Sequence, residues 1–152
     1  MYFFVCLKPV KITFVYFFIG SSIYRGENNP VALPLGSSLT ANSHGMLGRT
    51  VQLIMQQDGK LVVKSTLSTL PPIERIVWST NTRNIKDGLI FKSDGNLVLN
   101  DKDGNQVWES GTSGTDVERF TIEWENSNFV GYSKDGAVVW KSNPNTTPEE
   151  GK

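Results

Sequence analysis

Residues 92–108, KSDGNLVLNDKDGNQVW, decide the fold of this chain. Two Asp-Gly dipeptides flank a run in which polar and apolar residues alternate. Asp-Gly supplies the positive-φ residues that two-residue hairpin turns need, and alternation is typical of a strand with one buried face. The window therefore predicts an antiparallel hairpin. The positions from Lys92 to Asn100 at every second residue share the face that points away from the core.

Asp-Gly dipeptides recur along the rest of the chain. Between the turns lie short β-branched runs such as VQLIMQ, KLVVK, LIFK, NLVLN and AVVW, and no window holds a sustained helical period. The sequence predicts an all-β protein built from short antiparallel strands. The Asp-Gly turns are at Asp58-Gly59, Asp87-Gly88, Asp94-Gly95, Asp103-Gly104 and Asp135-Gly136.

The strands recur as a unit that ends in a Val-Trp pair. The pairs are Val77-Trp78, Val107-Trp108 and Val139-Trp140, with tryptophan spacings of 30 and 32 residues. A unit this small cannot bury both faces of its sheet, but three units around a common axis can, with one tryptophan each in the middle. We expect Leu61, Val63, Leu97 and Leu99 to point inward.

Composition limits the function classes. The chain has 152 residues, enough for one domain, and 15 basic residues balance 15 acidic ones. Nucleic acid is therefore not an expected partner, because phosphate neutralisation requires a basic excess. The only cysteine is Cys6, which excludes a disulfide within the chain and a metal site built from several cysteines. The only histidine is His44, and its Ser/Gly-rich neighbourhood indicates a surface loop, so a catalytic Ser/His/Asp set is not expected.

No cofactor or enzymatic activity is expected. The sequence contains neither H-E-x-x-H nor a phosphate-cradling G-x-x-x-x-G-K-[ST]. GTSGTD at 111–116 is interpreted as a flexible turn. DKDGN at 101–105 departs from the calcium-loop pattern, because the glycine is misplaced and no bidentate Glu follows, and it is interpreted as a hairpin turn.

The N-terminal segment is apolar but too short to cross a membrane. Its runs at 2–7 and 12–19 fall below the ~20 residues that a span needs. Residues 1–22 are predicted to be a signal peptide cleaved before Ile23, or a non-structured extension. Secretion is expected, with a cytoplasmic location as the alternative. Residues 144–152, which end in Glu149-Glu150 and contain a sequon at Asn145, are predicted to be a disordered tail.

Residues 31–143 resemble the bulb-type (monocot, snowdrop-like) mannose-binding lectins. The resemblance rests on LPLGSSLTANSHGML at 33–47, on LIMQQDGKLVV, on LVLNDKDGNQVW and on VVWKSN at 138–143. It implies a β-prism of type II, in which three four-stranded antiparallel sheets surround a pseudo-threefold axis. It also implies binding of mannose-containing glycans or glycoproteins, with a homodimer or higher oligomer as a further expectation.

The family's sugar motif, Q-x-D-x-N-x-V-x-Y, has one counterpart in each repeat. In the family, Asp and Asn bond the axial hydroxyl, Gln and Tyr bond neighbouring hydroxyls, and Val packs against ring carbons. The implied site residues are Gln56, Asp58, Lys60, Val62 and Lys64 in the first repeat, Lys92, Asp94, Asn96, Val98 and Asn100 in the second, and Trp124, Asn126, Asn128, Val130 and Tyr132 in the third.

Donor and acceptor counting ranks these three sites. Lysine donates hydrogen bonds but accepts none, so Lys60 and Lys64 weaken the first site. The second site ranks first because Asp94, Asn96 and Val98 match the motif, and the third follows, with the ring of Trp124 available to a sugar. Because no repeat has the complete motif, the alternative is a prism scaffold that has lost sugar affinity and acts through protein contacts or self-association.

The first repeat carries an insertion. Its last motif position, Lys64, lies 14 residues before the tryptophan, whereas the distance is 8 in the other two repeats. The extra segment at 65–75 contains two prolines and is predicted to be a surface loop.

Overall fold

A computed structural model describes residues 18–19, 21–43 and 48–144 of the chain. The predictions made for Cys6, for His44, for the sequon at Asn145 and for the Glu149-Glu150 tail lie outside the described residues, as does most of the predicted signal peptide. Across the described segments the secondary structure is β-strand without helix, which confirms the all-β prediction. The strands are β1 (Phe18–Ile19), β2 (Ser22–Tyr24), β3 (Val31–Leu33), β4 (Ser38–Asn42), β5 (Arg49–Met55), β6 (Leu61–Leu67), β7 (Ile73–Ser79), β8 (Ile85–Phe91), β9 (Leu97–Asp101), β10 (Gln106–Glu109), β11 (Val117–Glu123), β12 (Asn128–Ser133) and β13 (Val138–Lys141).

The strands form three antiparallel sheets, one for each repeat. The first sheet has the order β4-β5-β6-β7, the second β10-β9-β8-β3 and the third β1-β2-β11-β12-β13. Each repeat supplies three consecutive strands, and a fourth strand from nearer the N-terminus completes the sheet. This confirms the predicted three four-stranded sheets, with the two-residue β1 added at the edge of the third.

The third sheet begins before the predicted domain boundary at residue 31. Strand β2 pairs with β11 through Tyr24 opposite Arg119 and Ser22 opposite Thr121. The Ser22 and Thr121 hydroxyls also bond each other at 2.8 Å. Ile23, between the two paired residues of β2, is fully buried in the core. Residues 22–24 are therefore part of the folded unit, and cleavage before Ile23 stays a prediction.

The core lies where the inner faces of the sheets meet. Leu61, Val63, Leu97 and Leu99 are completely buried, as predicted from the alternation. The three repeat tryptophans contact one another at the centre: ring centroids are 5.8 Å apart for Trp78 and Trp108, 6.2 Å for Trp78 and Trp140, and 6.3 Å for Trp108 and Trp140. All three pairs pack edge to face, which is the favoured geometry for aromatic rings. The predicted shared centre is confirmed.

The hairpin turns have three-residue loops instead of the predicted two. At the first, the Gln56 amide donates to the Lys60 carbonyl at 2.8 Å and the Gly59 amide donates to the Gln56 carbonyl at 3.0 Å. The glycine has φ +93°, so the loop is a turn followed by a left-handed residue. The hairpins at 92–96, 101–105 and 133–137 repeat this pattern.

Asp87-Gly88 does not form a hairpin turn. Gly88 lies inside β8, where the pairing with β9 shifts register between Ile85 and Leu89. Its φ is +86°, and a Cβ built on it would lie 2.1 Å from the Leu33 carbonyl oxygen. The glycine is therefore needed for a bulge and for the close approach of β3.

The insertion in the first repeat is mostly strand, not loop. The β6–β7 ladder continues through Ser65 opposite Arg75 and Leu67 opposite Ile73. Only residues 68–72 form the connection, so the predicted loop at 65–75 is wrong over most of its length. Proline composition located the break in the ladder but not the pairing on either side of it.

Candidate functional site

The motif asparagine of the second repeat is buried in a hydrogen-bond network. Asn96 is 2% exposed. Its Nδ2 donates to Glu109 Oε2 at 2.7 Å, and its Oδ1 accepts from Ser110 Oγ at 3.0 Å and from the Thr112 amide at 3.1 Å. These bonds tie the start of β9 to the segment that follows β10. We call this arrangement the Asn96 latch.

The neighbouring carboxylate, Asp94, is also engaged. Oδ1 accepts from the Asn96 amide at 3.0 Å, while Oδ2 accepts from Ser113 Oγ at 2.8 Å and lies 3.3 Å from Lys92 Nζ. Burial alone would raise the pKa of Asp94, but these hydrogen bonds and Lys92 together lower it below the usual value. Asp94 is thus ionised at neutral pH, with most of its accepting capacity used by the protein.

The motif valines offer little surface to a sugar ring. Val62 is 3% exposed, Val98 2% and Val130 1%. In the second repeat Val98 pairs with Ile90, itself 7% exposed. Exposed Lys92 and half-buried Asp94 and Asn100 are the motif positions of this repeat that remain accessible.

The third repeat departs from the predicted register by one residue. Glu123, not Trp124, lies opposite Asn128 in the β11–β12 ladder. The connecting turn, 124–127, has four residues instead of three, and Ser127 in it adopts φ +49°. The spacing of the other repeats assigned Trp124 to the first position of the motif. In the structure Glu123 occupies that position. Trp124 lies in the turn with 39% of its surface exposed.

Glu123 organises the outer face of the third sheet. It accepts a hydrogen bond from the Tyr132 hydroxyl, and its Oε2 accepts from Asn126 Nδ2 at 3.4 Å. The guanidinium of Arg119 lies 4.3 Å from the centroid of the Tyr132 ring. Burial, followed by the bond to Glu123, raises the pKa of Tyr132 to about 12. The phenol is therefore a neutral donor at physiological pH.

Asn128 forms a latch like that of Asn96. It is completely buried, and its Oδ1 accepts from Ser142 Oγ at 2.5 Å and from the Asn143 amide at 2.9 Å. Its Nδ2 donates to the Asn143 carbonyl at 2.9 Å. The motif asparagine thus closes the hairpin in both repeats that retain it.

The first repeat closes the same hairpin without an asparagine. Thr80 Oγ1 accepts from the Leu61 amide at 3.0 Å and bonds Thr82 Oγ1 at 2.7 Å, and Thr82 donates to the Gly59 carbonyl at 2.7 Å. Lys60, at the asparagine position, is exposed. Its amide donates to Asp58 Oδ1 at 3.0 Å.

The remaining motif positions of the first repeat are Gln56 and Lys64. Gln56 is half-buried at the hairpin turn. The Lys64 ammonium forms an ion pair with Glu74 at 3.1 Å. That ion pair occupies the side chain that stands where the family has tyrosine.

Sequence reasoning missed the residues that complete these latches. Thr80, Ser110 and Ser142 each lie two positions after a repeat tryptophan, and a threonine or proline follows two positions later. The pattern W-x-[ST]-x-[TP] was therefore present in all three repeats. Glu109 and Glu123 carried no such repeated signal.

The described segments contain neither a metal-binding cluster nor a membrane-spanning helix. No group of three or more His, Cys, Asp or Glu side chains there is arranged to hold a metal ion. No helix in the same segments has the length and apolarity needed to cross a membrane.

Comparisons place this architecture among known lectins. No protein-family model matches the sequence, and no curated protein matches it. Among solved structures, the Japanese Marasmius oreades lectin is 27% identical with a TM-score of 0.61, over 82% of this chain and 92% of that one. A monomeric monocot mannose-binding lectin from Gastrodia elata is 25% identical with a TM-score of 0.54, over 82% and 97%. The Polygonatum cyrtonema lectin complexed with monomannoside is 27% identical with a TM-score of 0.50, over 84% and 98%.

These neighbours are lectins and not enzymes, in agreement with the interpretation of the sequence. Their similarity extends over 82–84% of this chain. The chain has the β-prism II fold of the bulb lectins, and the solved structures that it resembles include monocot mannose-binding members of that group.

Proposed function

We propose that the chain binds carbohydrate, and that it recognises mannose-type glycans on the outer faces of its sheets. The observation that carries the proposal is the fold that it shares, at 25–27% identity over more than four fifths of its length, with lectins described as mannose-binding or complexed with a monomannoside. The polar side chains at the register of the family motif support it.

The third sheet offers the best outer face for a sugar. The carboxylate of Glu123 accepts two hydrogen bonds from the protein, and a carboxylate has about four accepting positions. Asp94 in the second sheet accepts two hydrogen bonds and is also paired with Lys92. Trp124, next to Glu123 in the chain, adds an exposed aromatic side chain, and Tyr132 adds a phenol oxygen that can still accept a hydrogen bond. We therefore place the leading site at Glu123, Trp124 and Tyr132.

A specific observation favours the second candidate function, a scaffold that acts through protein contacts or self-association. Asn96 and Asn128 are buried, and their hydrogen bonds hold the hairpins together. A structural role in these hairpins is therefore enough to explain why Asn96 and Asn128 are present, without any sugar binding. If this second candidate function is correct, the chain forms oligomers or protein complexes and does not bind sugars.

Retention on mannan-agarose tests the two candidates directly. A single monosaccharide gains ~4 kcal/mol at ~0.3 kcal/mol per atom, which corresponds to a millimolar dissociation constant. The polymeric matrix is used because it engages several sites at once. Retention that free mannose reverses supports carbohydrate binding. A protein that passes through unretained, and that sediments as an oligomer, supports the scaffold.

Secretion is part of the same proposal, since mannose-type glycans are abundant on cell surfaces, and a cytoplasmic location is the alternative. The mass of the native N-terminus tests it. A mass that begins at Ile23 supports cleavage and secretion, and one that includes residues 1–22 supports the alternative.

A further inference from the structure

An open cavity of about 500 Å³ lies between the extended end of the β6–β7 hairpin and the turn at 124–127. Its volume is in the range of small-molecule sites. Of the predicted sugar-motif residues only Asn126 lines it, although the lining residue Glu74 is paired with Lys64 of the first-repeat motif. The lining residues are Arg49, Ser65, Leu67, Ile73, Glu74, Arg75, Val77, Glu125, Asn126 and Ser127.

Two guanidinium groups line this cavity. Within the described segments, neither Arg49 nor Arg75 has a side-chain hydrogen bond or an ion pair. Of the two lining carboxylates, Glu74 is paired with Lys64 at 3.1 Å. Two guanidiniums set against the remaining Glu125 leave one net positive charge at the cavity. The lining therefore favours a ligand with an anionic group, which a guanidinium can bind through two parallel hydrogen bonds.

The cavity also holds an acceptor without a donor. Asn126 Oδ1 is buried from solvent and has no hydrogen-bond partner in the described part of the chain, although its Nδ2 donates to Glu123. The adjacent Ser127 Oγ donates to Ser65 Oγ at 3.3 Å. An unpaired buried acceptor costs free energy. Because Oδ1 is closed to solvent in this structure, a ligand hydroxyl would supply the missing donor once the Asn126 side chain turns toward the cavity.

Apolar side chains complete the lining. Leu67 and Val77 are partly buried, and Ile73 is 57% exposed at the rim. Such a surface suits the C–H face of a ring. An anionic group, a hydroxyl donor and an apolar ring face occur together in acidic sugars.

We propose that this cavity binds an anionic sugar unit, either a uronic acid or a sulfated sugar, with its charge at Arg49 and Arg75 and a hydroxyl donated to Asn126 Oδ1. The insertion that lengthens β6 and β7 creates the site, because Arg75 and Ile73 belong to the part of the ladder that the other repeats lack. The site adjoins the proposed mannose site, because Asn126 lines the cavity and also bonds Glu123. The two proposals are still tested by different probes, an anion for the cavity and mannose for the outer faces.

The test is a titration of the ¹⁵N-labelled chain followed by two-dimensional NMR. The probes are glucuronic acid, its neutral methyl ester, glucose 6-sulfate and mannose. Amides of Ser65, Leu67 and Ser127 report on the cavity, and those of Asn100 and Tyr132 report on the outer faces. Arg75→Gln and Arg49→Gln remove one guanidinium each. Arg83→Gln, on an exposed loop outside the cavity, is the matched control.

We expect the acid or the sulfate to shift the cavity amides, and Arg75→Gln or Arg49→Gln to weaken that binding roughly tenfold or more, since a hydrogen bond to a charged group is lost. Arg83→Gln leaves it unchanged. Whichever anion binds identifies the ligand class. Equal binding of the neutral ester, or no cavity shift with either anion, overturns the proposal. A response to mannose confined to Asn100 and Tyr132 bears only on the outer faces.

Discussion

Asn96 donates a 2.7 Å hydrogen bond to Glu109, thirteen residues away along the chain. The bond crosses from the turn before β9 to the end of β10, and Ser110 and Thr112 complete the same network. A residue at the centre of the predicted sugar motif is thus a structural residue in this protein. The same holds for Asn128 in the third repeat.

The first prediction follows from this network. Asn96→Ala removes the acceptor of the buried Thr112 amide and of Ser110 Oγ, so we expect the free energy of unfolding to fall by about 2–4 kcal/mol. Asn100→Ala, at a half-buried position on the same face, should change it by no more than about 0.5 kcal/mol. Urea denaturation followed by tryptophan fluorescence measures both. Equal free energies of unfolding for the two variants would show that the hydrogen bonds of Asn96 make no net contribution to stability.

Gly88 and Gly104 form a second matched pair. Their φ angles are +86° and +88°, but a Cβ on Gly88 would meet the Leu33 carbonyl at 2.1 Å, whereas one on Gly104 meets nothing within 4 Å. Gly104→Ala costs only the left-handed backbone, about 1–2 kcal/mol. Gly88→Ala adds a clash that forces β3 away from β8, so we expect a total loss of roughly 2–5 kcal/mol.

Thermal unfolding of the two glycine variants distinguishes the two contributions. Similar melting temperatures for Gly88→Ala and Gly104→Ala would contradict the prediction, because they would mean that β3 can move away from β8 without loss of stability. A lower melting temperature for Gly88→Ala, with weaker hydrogen-exchange protection at Val31 and Leu33, is the expected result.

Tyr132 gives a prediction about pH. Its pKa is raised from 10.0 to about 12 in the folded chain, so the folded state holds the phenolic proton where the unfolded state has released it. The resulting stabilisation is fully present below pH 10 and is lost as the pH rises from about 10 to about 12. Tyr132→Phe should remove this dependence.

Glu123→Gln should lower the pKa of Tyr132, because it removes the negative charge that opposes ionisation. NMR titration of the ring carbons measures the pKa. A pKa for Tyr132 at the ordinary value of 10.0 would contradict the expected influence of burial and Glu123.

Much of the fold could be predicted from the sequence, because it is specified locally and three times over. Alternation fixed the inward positions such as Leu97, and the spacing of Trp78, Trp108 and Trp140 indicated a shared centre. The bulge at Gly88 could not be predicted, since Asp-Gly is equally suited to a hairpin and to a bulge. The extension of β6 and β7 depended on cross-strand pairs that composition does not reveal.

The candidate site was less predictable for a different reason. A motif specifies which residues occur, but their hydrogen bonds depend on segments far along the chain, such as Ser142 beside Asn128 and Ser113 beside Asp94. The one-residue expansion of the turn at 124–127 also has no marker in the sequence. It moves Glu123 into the position that spacing assigned to Trp124.

The last prediction compares the outer faces of the second and third sheets. Glu123→Ala removes a carboxylate with accepting positions to spare, so mannose affinity should fall about tenfold, the worth of one hydrogen bond to a charged group. Asp94→Ala removes a carboxylate that Ser113, Lys92 and the Asn96 amide already engage, so the affinity should change less than threefold. Mannan-agarose retention, with circular dichroism as the check on folding, measures both.

Tyr132→Phe separates the contribution of Glu123 from that of its partner, because it keeps the ring and removes the hydroxyl that bonds Glu123. If Tyr132→Phe leaves retention intact while Glu123→Ala abolishes it, the carboxylate itself contacts the sugar. Loss of retention in Asp94→Ala alone would move the site to the second sheet, where sequence ranking placed it. If all three variants are retained like the unmodified chain, mannose binding does not depend on either outer face.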